Sequence, residues 1–233
     1  MVFEYNNGQL EVSVMNEKYS SIFDIVGPVM IGPSSSHTAG AVLLGQEASK
    51  LLETRPQKIT IDYYESFAKT HAGHGTDFAI VAGVLKMAMY DPHLPESLEL
   101  AKQLGIELEI NELKSPSPID HPNTATITLT SRRKKVALCG CSIGGGKIAV
   151  KRLMFGNHQL ELLGSLPILL FSCSSESLLL VLEELTENDV VVTAQNFCKL
   201  NGNKNLYALS LQKAPAGDLT NSILKYCDNL VCL

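Results

Sequence analysis

Apolar positions along this chain change their spacing several times, and each change marks an element. Ala41, Leu44, Ala48, Leu51 and Leu52 recur at the three-to-four spacing of a buried helix. Lys58 to Tyr64 switches to alternation, with Ile59, Ile61 and Tyr63 on one side and Thr60 and Asp62 on the other, which predicts a half-buried strand. Glu65 to Gly73 shows neither period and reads as a loop. Phe78, Ile80, Val81, Val84, Leu85 and Met87 then form a deeply buried helix, broken by Asp91 to Pro95. Glu96 to Leu104 reads as a short helix, and Ile106, Leu108 and Ile110 alternate with glutamates as a strand. Ala125, Ile127 and Leu129 pair across a basic turn with Val136 to Cys141, predicting a hairpin. Gly144-Gly145-Gly146 turns the chain into a further strand at Lys147 to Val150.

Near Gly164 to Pro167 the pattern restarts. Ile168 to Phe171, Val190 to Thr193, Tyr207 to Leu211 and Leu230 to Leu233 read as strands, with helices at Glu176 to Leu185 and Leu219 to Tyr226. That β-α-β-β-α-β order is the ferredoxin-like arrangement. The expected fold class is α/β of the α+β type, a mixed domain followed by a small ferredoxin-like module.

Composition narrows the classes of function. Charged residues are 18% against 45% hydrophobic, and the net charge is -5. Disorder is excluded, no basic stripe suggests nucleic acid, and apolar area remains for a partner interface. The run Arg132-Arg133-Lys134-Lys135 reads as a solvated hairpin tip. Apolar runs are too short to span a membrane, and the polar, acidic start does not resemble a signal peptide. The six cysteines are irregularly spaced and read as reduced thiols in a cytoplasmic protein.

The chemistry concentrates where two loops run into helices. In VMIGPSSSHTAG (Val29 to Gly40), Pro33 stiffens a turn and Ser34, Ser35 and Ser36 can each cap a helix. His37 then stands at a helix N-terminus among hydroxyls and free backbone N–H groups, a setting that suits a small carboxylate. Gly73-His74-Gly75-Thr76-Asp77 forms a second such junction. If the two helices pack side by side, His37 and His74 converge on one small ligand. A nucleophilic serine is disfavoured, because the triple serine lacks a G-x-S-x-G elbow and an acid to orient the histidine. His71 reads as a surface or loop histidine. Ser142 to Lys147 fails as a phosphate loop, since Cys141 stands where the first glycine belongs and Ile148 where Ser or Thr belongs. A tight turn is the better reading.

Four segments together, FDIVGPVMIGPSSSHTAG, SFAKTHAGHGTDFAIVAG, HPNTATI and SIGGGKI, closely resemble the beta subunit of iron–sulfur L-serine dehydratase, from about Ser20 to Ile148. The resemblance implies an N-terminal extension over 1–19, a substrate-site domain over 20–164 and an ACT-like module over 165–233. It implies deamination of L-serine to pyruvate and ammonia in the cytoplasm, with a 4Fe-4S cluster held by a partner alpha subunit. His37 and His74 match the motif histidines expected to act in catalysis. Ser34, Ser35, Ser36 and Thr38 are expected to bind the substrate carboxylate, with Thr76 and Asp77 as secondary contacts. No metal ligand is expected in this chain, because none of its cysteines has a cluster spacing. Self-association through the ACT-like module is possible, although Cys173-Ser174-Ser175-Glu176-Ser177 lacks the glycine that many such modules carry at their effector loop. The alternative reading is a non-catalytic, amino-acid-binding regulatory subunit.

Overall fold

The computed structural model describes residues 2–6, 9–13, 35–52, 54–200 and 202–233, with side chains from Thr38 onward. Ser34 and the approach Val29 to Pro33 lie outside the described residues. Part of the segment expected only as a polar extension pairs as an antiparallel hairpin, β1 (Val2–Asn6) with β2 (Gln9–Ser13).

Helix α1 (Ser35–Lys50) leads to strand β3 (Lys58–Tyr64). The expected loop from Glu65 is instead a helix, α2 (Glu65–His74), followed directly by α3 (Thr76–Val84). A polar core position explains the difference: Phe67, Ala68 and His71 are the buried positions of α2, so a histidine occupies the place where the apolar period would have shown. A 3-10 turn, Leu94–Glu96, and α4 (Ser97–Gln103) then lead into β4 (Glu107–Leu113). The remaining strands of the first sheet are β5 (Thr124–Thr130), β6 (Lys135–Gly144), β7 (Lys147–Phe155) and β8 (His158–Glu161).

The six-stranded sheet runs β4-β3-β5-β6-β7-β8. Only β3 and β4 are parallel, because α2, α3 and α4 supply the crossover that a parallel pair requires. Ile59, Ile61 and Tyr63 of β3 and Ile127 and Leu129 of β5 are fully buried in the core with α1 and α3. Each such aliphatic or aromatic side chain contributes roughly 1.5–3 kcal/mol. The predicted β5–β6 hairpin and the glycine turn into β7 are both present, with Gly144, Gly145 and Gly146 all at positive φ.

Helix α1 is closed in on nearly all sides: Thr38, Ala39, Ala41, Val42 and Leu44 have no exposed surface. It lies flush on the sheet because Gly140 of β6 has no side chain. A Cβ there would come within 2.8 Å of Leu44. Its contact with α3 is closer still. A Cβ on Gly45 would sit 2.1 Å from the Ile80 carbonyl, and one on Gly83 would sit 2.1 Å from the Val42 carbonyl. Thr38 meets the end of α2 while Gly45 meets the last turn of α3, so α1 and α3 run parallel with their N-termini together.

The C-terminal module comprises β9 (Ile168–Cys173), α5 (Ser175–Glu187), β10 (Val192–Lys199), β11 (Asn205–Leu211), α6 (Gly217–Ile223) and β12 (Asp228–Cys232). Its antiparallel sheet runs β10-β11-β9-β12, the ferredoxin-like order that the pattern predicts. Leu169, Phe171, Tyr207 and Leu209 form one core with Val181 and Leu185 of α5 and Ile223 of α6. The alternate residues Ile168, Leu170, Leu206 and Ala208 belong to the same continuous core as α1 and the six-stranded sheet. Asn196 of β10 also donates to the Glu161 carbonyl of β8 at 2.8 Å.

The glycine contact gives a direct test. Gly83→Ala forces a methyl group into a neighbouring backbone and should cost about 1–3 kcal/mol, as overpacking does. Gly73→Ala, where nothing lies within 4 Å of the new Cβ, should be neutral or slightly stabilising. Thermal unfolding of the two variants is expected to separate them clearly.

Candidate functional site at two helix N-termini

The two predicted histidines are carried by backbone segments that touch. His74 is the last residue of α2, and Gly75 follows in the left-handed conformation at φ 69°. The Gly75 N–H donates to the His71 carbonyl and closes α2, while Thr76 opens α3. Glycine is required twice over: the backbone angle disfavours any Cβ, and one would lie 2.3 Å from the Phe78 ring. His37 lies in the first turn of α1 with Ser35 and Ser36, and the next residue, Thr38, donates through Oγ1 to the His74 carbonyl at 3.4 Å. His74 itself is half-buried.

Parallel neighbours place like ends of two helix dipoles side by side, and an anion over the shared end relieves that repulsion. Helix α1 has no acidic residue in its first turn, and α3 has Asp77. Thr76 is fully buried, and its hydroxyl has no hydrogen-bond partner among the described residues. This end of the helix pair therefore offers backbone donors, hydroxyls and a half-buried imidazole around one point.

Two further motifs support this end of the pair. Ser142 of SIGGGK is buried against Gly40 of α1, and its N–H donates to the Asn123 carbonyl. In HPNT, the Pro122 carbonyl accepts the N–H groups of Ser66 and Phe67 at 2.9 and 3.2 Å, so this turn caps the start of α2. His121 is folded into the same turn, its Nδ1 accepting the Asn123 N–H. The HPNT motif is thus a seat for the helix that ends in His74.

His71 is not a surface or loop residue. It is buried on α2, with Nδ1 2.7 and 2.9 Å from the two oxygens of Asp77 and Nε2 3.0 Å from Glu112. Its ring stacks on Tyr63 at 4.6 Å and 18°. Burial opposes a charge on the imidazole, yet the hydrogen bonds to Glu112 and Asp77, with their charges, outweigh it and raise its pKa. Burial, then the Asp77 charge, push the Tyr63 phenol well above its ordinary range. Sequence reading missed this cluster because its four members come from four elements.

The thiols lie elsewhere. Cys139, Cys141 and Cys173 are buried, and burial pushes their pKa values up; it carries Cys227 to about 11. Among the described residues no group of three or more His, Cys, Asp or Glu side chains could hold a metal ion. Among the described residues, the thiols are therefore not grouped as a 4Fe-4S cluster requires. No helix of the described residues is long and apolar enough to cross a membrane.

Comparison with known proteins identifies the family of the chain. The profile of the serine dehydratase beta chain matches residues 21–152, and the chain belongs to that family. It is 44% identical over 153 residues to the Bacillus subtilis (strain 168) protein named "Probable L-serine dehydratase, beta chain", covering 66% of this chain and 68% of that one. It is 37% identical over 131 residues to the L-serine dehydratase beta chain of Peptoniphilus asaccharolyticus, covering 56% and 59%. A third relative, the L-serine dehydratase of Haemophilus influenzae, is 33% identical over 166 residues, covering 60% of this chain and only 35% of the longer protein.

The unsatisfied hydroxyl of Thr76 yields an expected outcome. Thr76→Val keeps the shape and removes a buried polar group that costs about 1–3 kcal/mol when unpaired. The variant should melt at a higher temperature than the parent chain, measured by calorimetry without substrate.

Proposed function

We propose that this chain is the beta subunit of a two-subunit L-serine ammonia-lyase, and that its task is to hold L-serine and move its protons. The observation that carries the proposal is the parallel pairing of α1 and α3, which joins the His37 and His74 segments through the Thr38 hydroxyl. The substrate carboxylate binds at the shared helix N-termini, with Ser34, Ser35 and Ser36 as its hydroxyl donors. Thr38, expected among them, instead ties the two segments together, because its hydroxyl is fully buried and donates to the His74 carbonyl. Thr76 and Asp77 make secondary contacts from the first turn of α3.

Deamination must remove a weakly acidic Cα proton and expel a poor leaving group from Cβ. One of the two imidazoles takes the Cα proton, because an imidazole is poised between its charged and neutral forms near neutral pH. Loss of that proton and of the Cβ hydroxyl leaves an aminoacrylate, which becomes the imine and is hydrolysed to pyruvate and ammonia. A Lewis acid supplied by a partner would ease departure of the hydroxyl, and the resemblance implies an iron of a 4Fe-4S cluster for that role. Because the described thiols are not grouped as such a cluster requires, the alpha subunit carries it. The Haemophilus influenzae relative supports a second component, since the matched region is about a third of its length.

On this reading, residues 20–164 form the substrate domain and 165–233 an ACT-like module that stabilises assembly. Ser174 caps α5 by accepting the Ser177 N–H, so this loop is closed on itself. The inner face of the module's sheet is buried within the chain, which leaves its helices and edge strands for any self-association.

Expected results follow for the reconstituted enzyme. His37→Ala and His74→Ala should each lower turnover on the order of a hundredfold or more, while unfolding shifts little. Near-parental turnover in either variant removes that histidine from the site. The isolated chain, after anaerobic iron–sulfide treatment, should stay colourless and inactive until an alpha-type partner is added. Turnover from this chain alone would overturn the two-subunit reading.

A further inference from the structure

The buried histidine that no part of the proposed chemistry uses is His71. We infer that His71 is a positioning residue, an imidazolium strut between Asp77 of α3 and Glu112 of β4 that fixes the turn His74-Gly75-Thr76. The inference rests on the reading that His74 lies at the substrate site.

Three contacts define the strut. Nδ1 lies within hydrogen-bond distance of both Asp77 oxygens, and Nε2 reaches Glu112. A carboxylate only accepts, so both ring nitrogens must donate and the ring must be the cation. The ring is held flat by Tyr63 beneath it. The His71 carbonyl meanwhile accepts the Gly75 N–H that closes α2. One residue thus grips the turn twice, through its backbone behind His74 and through its side chain ahead of it. An ordinary helix–helix contact would not need a cation here, and an apolar residue at this position would leave the largely covered Asp77 carboxylate without its counter-charge.

The groups facing the ring come from each neighbouring element. Tyr63 comes from β3, Asp77 from α3 and Glu112 from β4, whereas β5 (TATITLT) bears no titratable side chain. Asp77 has only 16% of its side chain exposed and Glu112 has 66%. The Asp77 arm is therefore the strong one and the Glu112 arm the one that solvent weakens. Since the folded imidazole is raised above its free value of about 6.5, its contribution is complete below that pH. It is lost as pH rises through the folded value. The turn should loosen on the alkaline side, which would appear as weaker substrate capture before any loss of the chemical step.

The experiment has one arm without activity and one with it. In the isolated chain, long-range proton–nitrogen spectra of the histidine rings should show His71 protonated on both nitrogens at pH values where exposed histidines are neutral. Glu112→Gln should lower the pH of that transition. Hydrogen exchange at the Gly75 amide should quicken in His71→Gln at neutral pH. In the reconstituted enzyme, Glu112→Gln should leave kcat at neutral pH unchanged and move the alkaline rise in KM for L-serine to lower pH. His71→Gln should raise KM on the order of tenfold with a smaller change in kcat. A His71 ring that titrates like an exposed histidine, or a Glu112→Gln enzyme whose KM–pH profile overlays the parent, would overturn the inference. If the spectra and exchange behave as expected while His74→Ala retains full turnover, the strut stands and the proposed site fails.

Discussion

Two helices can run backbone to backbone only where neither carries a Cβ at the crossing, and Gly45 and Gly83 meet that condition together. Close approach fixes the lengthwise register of α1 against α3, because a shift by one residue would bring a side chain into a carbonyl. Register in turn sets which residues share the N-terminal end. The pairing of Thr38 with the His74 carbonyl is the result at that end. The like dipole ends that this forces together are unfavourable in an empty protein and favourable around an anion, so the packing itself biases this end toward negative charge.

The supporting turns follow the same logic. HPNT caps α2 through the Pro122 carbonyl, and SIGGGK lays Ser142 against Gly40. Each holds one end of a helix that carries a histidine. Buried, protonated thiols line up with this division of labour, because they leave the chain's polar chemistry to imidazoles and hydroxyls.

Much of this was legible in residue patterns, and what was not has physical causes. The period of Ala41 to Leu52, the alternation of Ile59 to Tyr63 and the ferredoxin-like order after Gly164 all reflect one-sided burial, which sequence displays directly. The convergence of the two loop–helix junctions was legible only as a condition, since the glycines that enforce it act across two elements. Helix α2 was missed because His71 fills a core position with a polar side chain, and its compensating carboxylates lie six and forty-one residues away. Strand β10 was placed too early because a polar Asn196 stands on its inner side and Phe197 on its exposed side, and a bulge at Val192 to Ala194 breaks the register.

The shared core between the C-terminal sheet and the first domain has a consequence for how the chain can evolve. A module that buries both faces of its sheet, one under its own helices and one against its neighbour, would uncover apolar surface on that neighbour if it were exchanged or deleted. Its inner residues, Ile168, Leu170, Leu206 and Ala208, must vary in step with the layer that contains α1. Lineages that adapt this module to new partners can therefore do so only through its outward helices and edges.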